Sequence, residues 1–519
     1  MGLKTDIYSF LKKSERLCAG CREAEPILNG IREMQSRLEM PLRVAVVGIM
    51  KAGKSTFMNA LMGKNILETG TLETTYTVSW FRYGDTPSLT VVMRDGKELQ
   101  KPFEELPKWT TRAAGKENPF LNNVRYVIIY YPSDVLKKME FIDTPGLNSV
   151  YGTDAQNTLD FLSVSSSQDT LTEASKADAV IYAFSRSAGN FDKNILNEFN
   201  SGNLDTSPIN SIGILTKADM TGIWNIMNDE TPVEAALAVT KNQMENPDIK
   251  RQLFSIYPVC AKAAEGCSKL SKSEWSLLFA LSQRISIEEL TDYLFDARTF
   301  CECGDEEYEQ IGTKDFRASL IEKLGQYGII EAVRQIKSGR SVEEVVSIMK
   351  ERCGITTVSN VLQSHFGNRT FMIKAQFIFN YLKPAVLSVR KKEPKNSVLF
   401  NICDQMLTDI ESIVTSLQTF KELKVLQMYY NNRVRFDQKE ETEDFLRITG
   451  EYGKTVEEKL GMPFGSTVSE LQNAVEKKVA QWHLYASDYM KDRNYIEAAK
   501  IISRSYEQIL YHLRALNDD

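Results

Sequence analysis

The sequence predicts an α/β phosphate-binding-loop domain, a mostly parallel sheet flanked by helices, joined to an all-α helical bundle formed by the N-terminal helix and the C-terminal region. Three observations predict it. A β-branched run, Leu42-Arg43-Val44-Ala45-Val46-Val47, ends in a glycine-rich loop. Strand and helix patterns alternate from there to about residue 262. Beyond about 270 the strand signal fades and helical periodicity remains. The length of 519 residues fits two or three domains at about 100–200 residues each. The boundaries read as 1–40 for the N-terminal helix, 41–340 for the α/β domain with a helical extension, and 341–519 for the bundle.

Residues 4–38 carry Ile7, Phe10, Leu11, Leu17, Ile27, Ile31 and Leu38 at helical spacing. Pro26 is expected to kink or divide this stretch. After 42–47, strands are predicted at 78–83, 89–93, 124–131, 140–142, 179–184, 211–215 and 256–259. Helices are predicted near 55–62, 154–175, 191–199 and 232–245. The stretch 84–123 reads as an insertion rich in turn residues, among them Asp95-Gly96 and Asn122-Asn123. Residues 273–337 and 341–391 look helical, and Glu393-Pro394-Lys395-Asn396 marks a turn. Met406, Leu407, Ile410, Ile413, Val414, Leu417, Phe420 and Leu423 place one amphipathic helix over 400–430. Two more helices follow near 466–491 and 495–515.

Composition narrows the class. With 42% apolar and 25% charged residues the chain reads as globular, and a net charge of −6 gives no bias toward nucleic acid, so no nucleic-acid partner is expected. Met1-Gly2-Leu3-Lys4-Thr5-Asp6 lacks an apolar core for a secretory signal and has Asp6 where a myristoylation site needs Ser or Thr. No apolar run reaches the about 18 residues that suggest a membrane span. The expectation is a cytoplasmic protein whose membrane contact, if any, is peripheral at the inner face of the cell membrane. The 8 cysteines are scattered, as reduced thiols are. Cys18, Cys21, Cys301 and Cys303 lack the turn residues of a zinc site. The 3 histidines, His365, His483 and His512, form no metal or triad spacing and read as core or surface residues.

Gly48-Ile49-Met50-Lys51-Ala52-Gly53-Lys54-Ser55 fits G-x-x-x-x-G-K-[ST] between a strand and a helix. Small residues such as Gly48, Ala52 and Gly53 let backbone N–H groups wrap phosphates, and the helix opening at Lys54, Ser55 and Thr56 presents its positive end to them. Lys54 is expected on the β/γ-phosphates and Ser55 on Mg²⁺. Phe141-Ile142-Asp143-Thr144-Pro145-Gly146 follows: Asp143 ends a strand where it can hold Mg²⁺ through water, and Gly146 can offer its N–H to the γ-phosphate. Thr216-Lys217-Ala218-Asp219 closes an apolar strand. A carboxylate there accepts N1–H and the 2-amino group of guanine, a donor pair adenine lacks, so GTP and GDP are expected over ATP. Lys217 is expected to pack along the base. Cys260-Ala261-Lys262 fits a loop that reaches the guanine O6, and reads equally as a plain loop. Thr71, Thr74, Thr75 and Thr77 compete for the threonine that completes the metal site; Thr75 is the first choice and Thr74 the second, because both directly precede a strand.

Together these residues resemble the dynamin superfamily, in particular its bacterial dynamin-like proteins. The resemblance rests on the loop through Thr56 with Asn59-Ala60-Leu61-Met62-Gly63, on Glu73-Thr74-Thr75, on Asp143-Thr144-Pro145-Gly146 and on Thr216-Lys217-Ala218-Asp219. The patches Leu324-Gly325-Gln326-Tyr327-Gly328-Ile329 and His365-Phe366-Gly367-Asn368-Arg369 also look like patches of bacterial members. The resemblance implies GTP hydrolysis, nucleotide-dependent homodimers or hetero-oligomers with a related protein, and often membrane binding at a bundle tip. Two departures stand out. Met50 and Lys51 occupy the positions where eukaryotic dynamins carry Gln and Ser; Met50 cannot orient water, and Lys51 falls where guanylate-binding proteins and atlastins place a cis arginine finger. No strongly apolar paddle segment is visible.

Two functions therefore compete. One is a dynamin-like GTPase coupling hydrolysis to dimerisation and bundle movement at a membrane surface or partner assembly. The other is a nucleotide-gated interaction module with little hydrolysis and no lipid binding. An apolar or basic bundle tip favours the first, and an acidic tip the second.

Overall fold

The computed structural model describes residues 3–48, 51–64, 66–67, 77–111, 121–145, 176–185, 207–220, 229–302, 304, 311–430 and 433–515. The helices predicted at 154–175 and 191–199 lie outside these. Packing divides the chain into two compact units. One comprises Arg43–Thr206 with Ser211–Asn360; the other comprises Met1–Leu42, Ser207–Asn210 and Val361–Asp519.

The first unit is a nine-stranded sheet with helices. The strands are β1 Leu42–Gly48, β2 Val78–Tyr83, β3 Ser88–Met93, β4 Glu98–Lys101, β5 Val124–Tyr131, β6 Met139–Asp143, β7 Ala179–Phe184, β8 Ser211–Leu215 and β9 Ile256–Pro258. Their order is β4-β3-β5-β2-β6-β1-β7-β8-β9. β1, β7, β8 and β9 run parallel, with Gly48 opposite Ala183 and Leu215 opposite Pro258. β6, β7 and β8 are buried along their whole length, as strands covered on both faces must be. The stretch 84–123 is not only turns: β3 and β4 pair antiparallel across Asp95-Gly96 and add an edge to the sheet.

Ser/Thr-x-x-Glu capping boxes start many of the helices. Thr231, Ser271, Ser286 and Ser341 each bond the N–H three residues on, while Glu234, Glu274, Glu289 and Glu344 reach back. The helix Val342–Arg352, which the sequence placed in the bundle, packs in this unit instead. Val345 and Met349 are buried, and the Cys353 carbonyl accepts from the Cys260 N–H at 3.0 Å. Gly354, at φ 79°, backs onto the Pro258 carbonyl so closely that a Cβ would lie 2.6 Å from its oxygen. By packing, the boundary falls near 360 rather than 340.

In the second unit the helices Leu3–Cys18 and Glu25–Glu39 meet the helices Thr370–Lys392 and Val398–Ser416. Pro26 does not kink a helix. It stands at the start of the second one, where its missing N–H costs nothing. Phe10 packs on Phe379 and Phe379 on Phe420, with ring centroids 5.6 and 5.4 Å apart. The helix expected over 400–430 breaks at Leu417, whose ψ of 126° separates Val398–Ser416 from Gln418–Tyr430. The helices Val468–Ala486 and Arg493–Ala515 pair closely, joined by a short turn. Between them and Tyr430 lie the helices Lys439–Ile448 and Val456–Leu460, which the periodicity did not announce.

Candidate functional site

Gly48, Asp143, Thr216 and Cys260 stand at or just beyond the carboxyl ends of β1, β6, β8 and β9. That edge is where open α/β sheets bind ligands. Gly48 has no room for a side chain, because a Cβ would run into the Ala183 carbonyl oxygen. Gly53 takes φ 81° directly before the helix Lys54–Met62. That turn aims the helix N-terminus at the loop, and only glycine adopts it freely. Lys51 is exposed and holds φ 62°, which a side chain adopts at a cost of about 1–2 kcal/mol.

Lys54 is 7% exposed, and its ammonium donates to the Gly48 carbonyl at 3.2 Å. The Ser55 hydroxyl donates to Asp143 Oδ2 at 3.3 Å. Asp143 is fully buried, and its Oδ1 has no hydrogen-bond partner among the described residues. Burial pushes its carboxyl up to about 6, against the opposing pull of Lys54, Ser55 and the Thr144 N–H. A buried carboxylate oxygen without a donor, beside a serine hydroxyl, is suited to a hard cation with oxygen ligands, so Ser55 and Asp143 fit Mg²⁺. The Thr144 hydroxyl donates to the Val46 carbonyl at 2.9 Å, tying the end of β6 to β1. Thr75, Thr74 and Thr71 lie outside the described residues, as do Met50 and Gly146. Thr77 is buried, with its carbonyl accepting from the Ser79 hydroxyl.

Thr216 serves the phosphate loop. Its hydroxyl faces the Ala52 and Phe184 carbonyls, the latter at 3.0 Å, and so fastens the loop to the sheet. Thr56 is half-buried in the first turn of the loop's helix. Lys217 bridges to Cys260, bringing the two base-side loops together. Asp219 is half-buried; burial raises its carboxyl, while its own backbone N–H, Lys262 and Lys217 hold it down. Ala261 is buried at the start of the helix Ala261–Cys267, its N–H directed at the Thr216 carbonyl at 3.4 Å, and Lys262 is exposed.

The sequence missed one contributor to this corner. In the sequence Gly325 stands out only within a patch that resembles other chains. It interrupts the helix Lys314–Lys337 with φ 69° and ψ 176°, a conformation open essentially to glycine. A Cβ there would lie 3.8 Å from both Asp219 Oδ2 and Lys262 Cδ. The signal in the sequence was a glycine pair, Gly325 and Gly328, inside an otherwise helical pattern.

The fold and this edge define a P-loop GTPase domain. Residues 44–218 match the family model described as "Dynamin family". Over 490 residues the chain is 25% identical to the isoniazid-induced protein IniC of Mycobacterium tuberculosis, across 92% of each chain. It is 32% identical over 147 residues to the bacterial dynamin-like protein of Nostoc punctiforme, covering 27% of this chain and 20% of that one. A solved structure of an oligomerised bacterial dynamin pair aligns with 99% of this chain and 76% of its own, at 11% identity and a TM-score of 0.33. Residues 44–218 thus form a GTPase domain of the dynamin type, similar to those of bacterial dynamin-like proteins.

Proposed function

We propose that the protein hydrolyses GTP to GDP and phosphate and couples the nucleotide state to self-association and to movement of its helical unit. The observation that carries this reading is the Lys54, Ser55 and Asp143 cluster, with a donorless buried carboxylate oxygen aimed beside the phosphate loop. Lys54 binds the β/γ-phosphates. Ser55, Asp143 and Thr75 hold Mg²⁺, which when bound neutralises phosphate charge. Gly48, Ala52, Gly53 and Thr56 shape the loop, and Gly146 donates to the γ-phosphate. Thr216, Lys217, Asp219, Ala261 and Lys262 frame guanine, with Asp219 accepting from its N1–H and 2-amino groups. The test is turnover of GTP against ATP in Mg²⁺, with Lys54→Ala as control. Turnover that is absent, or indifferent to the base, sinks the proposal. Light scattering with a GTP transition-state mimic and with GDP tests self-association; a monomer in both refutes that part.

The bundle favours a lipid surface over a purely protein partner. The turn after Val468–Ala486 exposes Tyr489 at 90% and Met490 at 94%, with Leu484 at 73% nearby and Lys491 beside them. Adjacent apolar and aromatic side chains held in water carry a free-energy cost that insertion between lipids removes. No helix among the described residues is long and apolar enough to cross a membrane; the contact proposed is a peripheral one through this turn. Co-sedimentation with anionic vesicles should fail for Tyr489→Ser/Met490→Ser and persist for Phe464→Ser, an equally exposed residue on a different turn. Equal binding by both variants refutes the assignment.

A further inference from the structure

Gly325 breaks the helix Lys314–Lys337 in two, and the break is anchored on both sides. Before it, Lys323 pairs with Glu274 at 2.5 Å, and the Lys323 carbonyl leaves no room for a Cβ on Gly266. After it, the Gln326 amide donates to the Leu294 carbonyl at 2.7 Å, and Gly328 backs onto Ala263. With both halves tied down, residue 325 is kept out of the helical conformation, and its φ of 69° and ψ of 176° are open essentially to glycine. The room left by the missing side chain faces two groups at once. A Cβ would lie 3.8 Å from Asp219 Oδ2 and 3.8 Å from Lys262 Cδ. That is ordinary contact distance, so an alanine methyl fits the space and only the backbone resists it.

Gly266 against Lys323, Ala263 against Gly328 and Lys262 against Gly325 are close approaches between the helices Ala261–Cys267 and Lys314–Lys337. At Gly325 alone of these the backbone meets Asp219 as well. Asp219 carries the charge proposed to accept the N1–H and 2-amino groups of guanine, and Lys262 helps to keep it ionised. The way a carboxylate presents its two oxygens decides whether it takes one hydrogen bond from a flat base edge or two. Whatever packs on Oδ2 therefore bears on selectivity. We propose that Gly325 is a specificity-determining residue for the base: by offering bare backbone, it positions the Asp219 carboxylate and the Lys262 stem together. The helical extension then sets how strictly guanine is chosen over adenine, and Gly325 acts through Asp219. The inference rests on the proposed reading of guanine by Asp219.

Gly325→Ala drives the residue toward negative φ and so shifts the backbone on which Asp219 and Lys262 rest. A lost hydrogen bond to a charged group is worth about one to two decades in affinity, so the GDP-to-ADP affinity ratio should fall at least about tenfold. ADP shares the phosphates but lacks the donor pair, and its own affinity should stay within about threefold of wild type. Competition calorimetry with GDP and ADP in Mg²⁺ reads this whether or not the protein turns over. Gly339→Ala is the control for backbone strain alone: Gly339 has φ 80°, closely follows the same helix, and nothing lies within 4 Å of where its Cβ would be. It should lower thermal stability and leave the ratio unchanged. In the Asp219→Asn background, Gly325→Ala should alter GDP affinity by less than about threefold, because the bonds it disturbs are already gone. If Gly325→Ala does not fold, Gln326→Ala decides the question. It frees the break from the Leu294 carbonyl without straining residue 325, and should lower the ratio at least about threefold. An Asp219→Asn variant that keeps the wild-type ratio overturns the reading of guanine by Asp219, and this inference with it. If Asp219→Asn loses the preference, four results overturn the role of Gly325 alone: an unchanged ratio in Gly325→Ala, or in Gln326→Ala where that variant decides; equal losses for GDP and ADP; an undiminished effect without Asp219; or the same fall in Gly339→Ala.

Discussion

Replacing Asp143 with Asn should stabilise the metal-free protein at neutral pH while removing its metal affinity. The carboxyl is fully buried, and Ser55 and the Thr144 N–H give it too little to offset desolvation, so it titrates at about 6 instead of 3.8. That difference corresponds to about 3 kcal/mol. The group's folded value is raised, so its contribution to stability is full below about pH 4 and is lost as pH rises through about 6. Asn cannot ionise and carries no such loss. Denaturation of wild type and Asp143→Asn in chelator, from pH 4 to pH 7.5, isolates the group, because other titrations cancel in the difference. Wild-type stability relative to the variant should fall by about 3 kcal/mol across that window and then level off. Mg²⁺ should act oppositely: protons compete for the same carboxylate, so its apparent affinity should be about tenfold weaker at pH 5 than at pH 7.5 in wild type. A flat difference between the two proteins over this range, or a variant less stable than wild type at pH 7.5 without metal, refutes the argument.

Lys54→Ala should cost about one to two decades in GTP affinity by calorimetry, the value of a charge-assisted contact to phosphate. Asp219→Asn should lower guanine affinity and raise that for xanthine nucleotides in competition binding, since Asn offers the donor that xanthine accepts. Lys51→Ala should keep GTP affinity and slow single-turnover hydrolysis by at least about tenfold, with no potassium requirement in wild type; an unchanged rate leaves Lys51 a surface charge. In the helical unit, Glu451 lies against Arg369 and His365, with its Oε2 3.0 Å from the His365 Nδ1. Burial alone would raise its carboxyl, but His365 and Arg369 outweigh it and hold it at about 2. Its contribution is present above about pH 4 and lost as pH falls toward 2, and Glu451→Gln should cost about 3–5 kcal/mol in denaturant titrations by stranding Arg369.

The phosphate side of the site was legible because its chemistry is local. Gly48, Gly53, Lys54 and Ser55 follow one another on a strand, a turn and a helix, and the residues proposed to bind phosphate are the ones that shape the turn. The strands were legible because β-branched runs stood between turn residues. β4 escaped because three of the four residues in Glu98-Leu99-Gln100-Lys101 are polar, as in an edge strand facing water. The break at Leu417 escaped because one extended residue interrupts a helix without disturbing the apolar period. Asn59 was read only as part of a motif, since Glu265, to which its Nδ2 donates at 2.6 Å, lies far away in sequence. His365, read as a core or surface residue, is at the centre of a buried polar group: Nε2 donates to the Pro208 carbonyl at 2.8 Å, and Glu451 lies 86 residues away. Periodicity reports which face of a helix is apolar. It says nothing about which buried polar group another segment will satisfy.

The surroundings of Asp219 are built differently, by glycines that lie outside its own motif. Gly266 lets the helix Ala261–Cys267 press directly on the Lys323 carbonyl, and Gly328 lets it approach through Ala263, where a Cβ would stand 2.9 Å from the alanine's own. Those two contacts fix the helix Lys314–Lys337 in place, and its interruption at Gly325 then falls beside Asp219 and Lys262. Gly354, just past the end of the helix Val342–Arg352, lies against Pro258 and Val259 at the end of β9, directly before Cys260-Ala261-Lys262. The match to the dynamin family ends at residue 218, one position before the carboxylate expected to read the base. What surrounds that carboxylate comes from residues 260–266 and 323–354. The helical extension after β9 is thus a wall of the nucleotide unit. A substitution at Gly325 or Gly354 changes the surroundings of Asp219 although it lies outside every motif that names the domain.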